Sequence, residues 1–166
     1  HVERSHNSIP PSKGGVGTES NFHPVPAIDF LSQEAEPLNW VWEGFLPQGT
    51  LALLTAYMKV GKSTLAYVLA ISVSQGRPFL DFPTTPGPVL ILAVEEHPRD
   101  IKRRLLRFGL NKQKDPVFVH AGRLPPSTAN LQALRQFIEE KHISLVILDT
   151  LARYWGIRDE NDNAQI

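Results

Sequence analysis

The chain of 166 residues contains no cysteine and has no excess of charge of either sign. Without cysteine it forms neither disulfides nor thiolate metal sites, which fits a cytoplasmic protein. Seventeen basic and seventeen acidic residues leave a net charge of zero, so no overall field attracts nucleic acid. The apolar runs, of which residues 65–71 are an example, are too short to span a bilayer, and the N-terminus carries no signal segment. The composition therefore indicates a globular domain with no membrane partner.

Polar composition sets residues 1–26 apart from the rest of the chain. They are rich in serine, glycine, proline and histidine, have almost no apolar periodicity, and are predicted to be a disordered linker. Apolar residues return at Ala27, so residues 27–166 are predicted to form the N-terminal portion of a folded domain. Because the chain begins with His1 rather than methionine and ends just after a polar stretch, we expect it to be an excerpt of a larger protein.

An apolar run, a loop containing Gly61-Lys62-Ser63 and an apolar helix follow one another in residues 51–64. This order is typical of a phosphate-binding P-loop, because a loop that leads into a helix N-terminus directs backbone N–H groups at phosphate oxygens. Gly61 lets the backbone approach the phosphate, Lys62 reaches the β/γ oxygens, and the Ser63 hydroxyl can bind Mg²⁺. The segment predicts a nucleoside triphosphate site whose binding residues are Ala56, Lys59, Val60, Gly61, Lys62, Ser63 and Thr64.

Short apolar strands alternate with helices along the remainder of the chain. This alternation predicts an α/β fold with a parallel sheet and right-handed crossovers. Residues 89–94 form a continuous apolar run, which is typical of a strand buried on both faces. The predicted strands are 51–55, 89–94, 117–119 and 145–148, and the predicted helices are 62–74, 98–108 and one that begins at Ser127 or Thr128 with Leu131, Leu134 and Ile138 facing inward.

Acidic residues follow two of these strands, at the edge where parallel sheets bind ligands. Asp149 comes directly after strand 145–148 and suits a Mg²⁺-binding role, the alternative being an aspartate that caps the next turn. Glu95 and Glu96 follow strand 89–94. A carboxylate there can orient the water that attacks a γ-phosphate, or the pair can simply begin the next helix, where negative charge is favourable. The residue chemistry alone leaves both interpretations of the glutamates open.

Four segments together resemble the RecA-like AAA ATPases typified by the plasmid replicative helicase RepA: residues 59–64, 76–80, 87–96 and 148–153. The resemblance runs from about residue 40 to residue 163. It implies a RecA-like P-loop NTPase fold, and it implies that Glu95 is the catalytic glutamate and that Lys62 takes part in catalysis. Ala56 and Tyr57-Met58 depart from the family, whose members have glycine followed by small residues or proline.

By this resemblance the chain is an ATP-binding and hydrolysing module of a DNA replication helicase or helicase-primase, with Mg²⁺ as cofactor. The implied partners are ATP, single-stranded DNA and further copies of the chain in a ring. Two alternatives stay open, namely a P-loop kinase for a small molecule and a nucleotide-gated regulatory or scaffold ATPase. The basic residues between Arg99 and Lys114 are interpreted as a solvated helix face rather than a nucleic-acid surface. Residues 159–163 receive no defined role.

The resemblance also implies a further strand between the P-loop strand and the strand that ends at Asp149. Only seventeen polar, loop-like residues follow Asp149, so we expect the C-terminal part of the domain to be missing. Backbone groups of residues 51–55 and 145–148 should then be unpaired. We therefore expect residues 1–166 alone to be unstable and to hydrolyse ATP negligibly.

Overall fold

The computed structural model describes residues 22, 24–32, 34, 37–55, 57, 60–111 and 113–154. The chain divides into two compact units between residues 36 and 37. In the first unit, helix α1 (Ala27–Leu31) begins after Pro26 and buries none of its residues. Apart from residues 22 and 24–26, the predicted linker lies outside the described residues, as do residues 159–163.

The second unit contains a parallel sheet with helices packed on it, as the alternation of strands and helices predicted. Within the described residues the strand order is β4-β3-β5, with β3 in the centre and both neighbours parallel to it. Helix α2 packs against all three strands, and α3 packs against α2. The bounds are β3 Val89–Ala93, β4 Val117–Ala121, β5 Leu145–Asp149, α2 Lys62–Gln75, α3 Pro98–Arg107, α4 Thr128–Glu140 and α5 Leu151–Tyr154.

The central strand β3 is buried along its whole length, which confirms the prediction made from its apolar run. Successive side chains of a strand point to opposite faces, so a strand covered on both faces needs apolar residues at every position. Val89, Ile91 and Ala93 join the core cluster that includes Tyr67 and Val73 of α2. This packing fixes α2 over the centre of the sheet.

A small antiparallel hairpin adjoins the sheet. It pairs β1 (Trp40–Trp42) with β2 (Leu46–Pro47), and Thr85 N–H donates to Val41 O at 3.0 Å. Trp42 stacks on Phe45 with ring centroids 4.2 Å apart and meets Phe79 edge-on at 5.0 Å. The aromatic contacts hold this hairpin against the segment that follows α2.

Two predictions about local structure were wrong. Residues 51–55 form no strand, and the side chains of Leu51 and Leu53 are 97% and 71% exposed. A strand needs a neighbouring strand that pairs with its backbone N–H and C=O groups. Within the described residues β5 is at the edge of the sheet, and no strand pairs with residues 51–55. On α4, Leu131 is 48% exposed rather than facing inward, whereas Leu134 and Ile138 are half-buried.

The C-terminus of α2 and the N-terminus of α4 lie where their sequences indicate. Gly76 ends α2 in the left-handed conformation, and the side chain of Ser127 accepts a hydrogen bond from Asn130 N–H at the start of α4. Among the described helices, none has both the length and the apolar character needed to cross a membrane.

Candidate functional site

The N-terminus of α2 lies at the carboxyl edge of the sheet. Near its C-terminal end, Val73 O accepts a hydrogen bond from Gly87 N–H at 3.2 Å, just before β3 begins. Near its N-terminal end, Tyr67 lies beside Glu96, which follows the end of β3. The helix therefore runs antiparallel to β3, and its first turn faces the edge where the predicted carboxylates stand.

The first turn of α2 is open to an anion. Gly61 precedes the helix with φ = +97°, a left-handed conformation that glycine adopts without the strain of a side chain, and no side chain caps the helix there. Leu65 N–H makes the first intrahelical bond, to Gly61 O at 2.9 Å. The helix dipole and the uncapped amide groups favour negative charge at this point.

Four of the predicted phosphate-binding residues, Lys62, Ser63, Thr64 and Val60, lie in or beside this turn within the described residues. Lys62 Nζ donates to Tyr57 O at 3.0 Å, so the lysine folds back along the loop. Ser63 is half-buried, whereas Val60 and Thr64 are exposed. Ala56 and Lys59, which were also predicted to bind nucleotide, lie outside the described residues.

Asp149 ends β5 directly opposite Ala93, the last residue of β3. Its carbonyl oxygen accepts a hydrogen bond from Val94 N–H at 3.0 Å, which ties the ends of the two strands together. Its carboxylate oxygen Oδ2 is buried and has no hydrogen-bond partner within the described residues. Such an oxygen is suited to a cation, because a buried acceptor without a partner is energetically costly.

The two glutamates after β3 have different surroundings. Glu95 is exposed to solvent, whereas Glu96 is partly buried and accepts a hydrogen bond from Arg104 Nη1 at 2.5 Å through Oε1. Burial raises the pKa of the Glu96 carboxyl group, the Arg104 charge opposes this shift, and the nearby Asp149 adds to it. The sequence did not distinguish these environments.

Tyr67 is a component of the site that the sequence analysis missed. Its side chain is fully buried, and the guanidinium of Arg104 lies 5.4 Å from the centre of its ring. Burial and the negative charges of Glu96 and Asp149 raise the pKa of the Tyr67 hydroxyl. The available signal was its position on α2, one helical turn after Ser63 and therefore on the same side of the helix.

A pocket of about 440 Å³ adjoins the first turn of α2. The lining residues combine one hydroxyl, one carboxylate, one aromatic ring and three guanidinium groups: Thr64, Asp100, Arg103, Arg104, Arg107 and Phe108. Arg103 pairs with Asp100 on the surface of α3, whereas Arg104 turns inward to Glu96. The basic cluster predicted from the sequence is thus divided between a solvated face and the interior.

The donor set fits Mg²⁺ bound together with phosphate groups. Mg²⁺ usually takes one or two protein oxygens and completes its shell with phosphate oxygens and water. Ser63 and Asp149 are the residues that would hold it. Within the described part of the chain, no group of three or more histidine, cysteine, aspartate or glutamate side chains gathers into a metal site made of protein alone.

The parallel sheet flanked by helices, with the N-terminus of α2 at its carboxyl edge, has an α/β RecA-like fold. The family model described as AAA domain matches residues 17–166. The chain belongs to this family, and it is therefore an ATPase domain that binds nucleotide. A search of curated proteins finds no match.

Proposed function

We propose that this domain binds ATP with Mg²⁺ at the first turn of α2 and hydrolyses the γ-phosphate. Lys62 and the amide groups after Gly61 hold the phosphates, and Ser63 and Asp149 hold the metal. Glu95 orients the attacking water. When bound, Mg²⁺ neutralises charge on the β- and γ-phosphate oxygens, and the protein contributes positioning and charge stabilisation.

The observation that supports this proposal best is the direction of α2. The helix presents its positive end, with Lys62 beside it, to the sheet edge where β5 ends in Asp149. A triphosphate placed there meets amide groups, an ammonium group and a metal-binding carboxylate from one side. Glu95 remains accessible to water at the same edge.

The wider setting that we propose is a DNA helicase that works as a ring of identical subunits. The support is the resemblance of residues 59–64, 87–96 and 148–153 to RecA-like ATPases of plasmid replication. Single-stranded DNA would then be the second ligand of the complete protein. The experiments below must distinguish this proposal from two alternatives. One is a kinase for a small molecule, and the other is a scaffold protein that binds ATP and hydrolyses it slowly.

The first experiment replaces Lys62 with alanine in the complete protein. We expect ATP affinity to fall about 10- to 100-fold, because charge-assisted hydrogen bonds to the phosphates are lost. Lys102→Ala is the matched control, since Lys102 is an exposed lysine on α3. Isothermal titration measures both variants. Equal affinities for the two variants would contradict the phosphate-binding role of Lys62.

The second experiment replaces Glu95 with glutamine. The amide keeps the shape of the side chain but loses its basicity, so ATP binding should persist while hydrolysis slows about 100-fold or more. Single-turnover hydrolysis measures the rate separately from binding. A Glu95→Gln variant that hydrolyses ATP at the wild-type rate would remove this residue from the reaction.

The third experiment measures phosphate release from ATP with and without single-stranded DNA. A helicase motor should hydrolyse ATP faster in the presence of DNA, because movement along DNA is coupled to hydrolysis. A small-molecule kinase and a scaffold ATPase should show no change. Absence of stimulation in the complete protein would therefore contradict the helicase setting while leaving ATP hydrolysis intact.

A further inference from the structure

One ion pair differs from the other described ion pairs of this chain. Arg104 and Glu96 meet at 2.5 Å with side chains that are only 30% and 19% exposed, and they join α3 to the segment after β3. The pair Arg103–Asp100 lies within α3 and is 71% and 47% exposed. Exposed ion pairs contribute little to stability. Removing two charges from water is unfavourable unless they pair in good geometry, so a partly buried pair holds its two elements in a fixed relative position.

Tyr67 connects this pair to the phosphate end of α2. The Arg104 guanidinium lies 5.4 Å from the centre of the Tyr67 ring, within the range of a cation–π interaction. Tyr67 is fully buried, so its ring cannot shift without disturbing the core. Because Tyr67 follows Ser63 by one helical turn, Arg104 contacts the side of α2 that also carries Ser63.

The same network adjoins Asp149. Val94 N–H bonds to Asp149 O at 3.0 Å, and Glu96 comes two residues later in the same segment. Glu96 Oε2 and Asp149 Oδ2 are both buried and have no hydrogen-bond partner within the described residues. The negative charges of these two carboxylates oppose one another, and Arg104 is the cation paired with Glu96.

We propose that Glu96, Arg104 and Tyr67 form a positioning unit that fixes Asp149 and the segment carrying Glu95 relative to the phosphate-binding turn of α2. This inference rests on the proposed ATP hydrolysis. Glu96 acts through Arg104 and Tyr67 and not by touching the reacting atoms itself. The unit sets the geometry of hydrolysis, and it contributes little to the affinity for ATP.

The test compares Glu96→Gln and Arg104→Gln with the matched control Arg135→Gln in the complete protein, since Arg135 forms an exposed ion pair with Glu139 on α4 and does not line the pocket. Glu96→Gln keeps the shape of the side chain and one hydrogen-bond acceptor, so we expect this variant to fold. It therefore still tests the proposal if Arg104→Gln does not fold. Binding of a slowly hydrolysed ATP analogue gives the affinity and the number of sites per chain. Single-turnover hydrolysis gives the rate per occupied site.

We expect Glu96→Gln and Arg104→Gln to lower the rate per occupied site about tenfold while affinity changes less than about threefold. Arg135→Gln should leave both unchanged. The double variant Glu96→Gln/Arg104→Gln should be no slower than either single variant, since both remove the same interaction.

A wild-type rate per occupied site in Glu96→Gln would overturn the inference. A loss of total hydrolysis in both variants that follows only the number of binding sites would also overturn it, because that result indicates unfolding rather than misplacement. A wild-type protein that binds no ATP would instead overturn the proposed function, and the inference with it.

Discussion

Gly87 controls how closely the chain approaches itself before β3 and β5 begin. A Cβ atom on Gly87 would lie 2.1 Å from Ser144 Oγ and 2.7 Å from Ser144 Cβ. Ser144 cannot move away freely, because its N–H donates to Pro88 O at 2.8 Å. The register Val89↔Leu145 starts immediately afterwards and leads to Ala93↔Asp149. Gly87→Ala therefore perturbs the strand pairing that positions Asp149, the carboxylate that we propose to bind the metal.

We expect Gly87→Ala to destabilise the protein by about 1–3 kcal/mol, the usual cost of overpacking. Alanine also restricts the unfolded chain, which returns about 0.4–1 kcal/mol. Urea unfolding followed by circular dichroism should then show a lower midpoint, by about 1 M for a typical slope. Ser144→Gly in the Gly87→Ala background should restore much of the loss, whereas Ser144→Ala should restore less because its Cβ remains. A Gly87→Ala variant as stable as the wild type would refute this account of the β3–β5 approach.

Two further predictions concern the frame around the site. Ile91→Ala should cost about 2–5 kcal/mol in the same unfolding assay, because Ile91 is fully buried at the centre of β3; a loss below about 1 kcal/mol would contradict its core position. Ser127→Ala should cost about 0.5–2 kcal/mol by removing the acceptor for Asn130 N–H, and Thr128→Ala is the neighbouring control. Equal losses for these two variants would show that the cap contributes nothing specific.

The elements of the fold were predictable where the local pattern agreed with the tertiary environment. The unbroken apolar run of β3 indicated burial on both faces, and the structure buries all five residues. The glycine after α2 and the serine before α4 marked helix ends that the structure places at Gly76 and Ser127. These signals act within a few residues of one another, so they are readable from sequence.

Residues 51–55 show where that logic fails. Their apolar run favours a strand, yet strand formation depends on a partner that can lie far away in the sequence. Within the described residues no strand pairs with this segment, and Leu51, Leu53 and Leu54 are exposed. The prediction of a strand was therefore wrong here.

The candidate site was only partly predictable for a related reason. Gly61, Lys62 and Ser63 lie in one contiguous motif, and Asp149 follows from its place at the end of a strand. Tyr67 had only its helical spacing from Ser63 as a signal, and Arg104 only its place in a basic cluster, because their contacts arise from the packing of α2 against α3. The contact between the Arg104 guanidinium and the Tyr67 ring is visible only in the three-dimensional structure.

The environments of the two glutamates fit the different roles that we propose for them. A group that orients attacking water needs access to that water, and Glu95 has it because its side chain is exposed. Glu96 is held by Arg104 and is largely withdrawn from solvent, so reaching a substrate would require breaking the ion pair. A partly buried carboxylate that stays paired with an arginine is suited to fixing the position of its segment. The pair Glu95-Glu96 thus supplies one group that can face the nucleotide and one that anchors the segment from which the first projects.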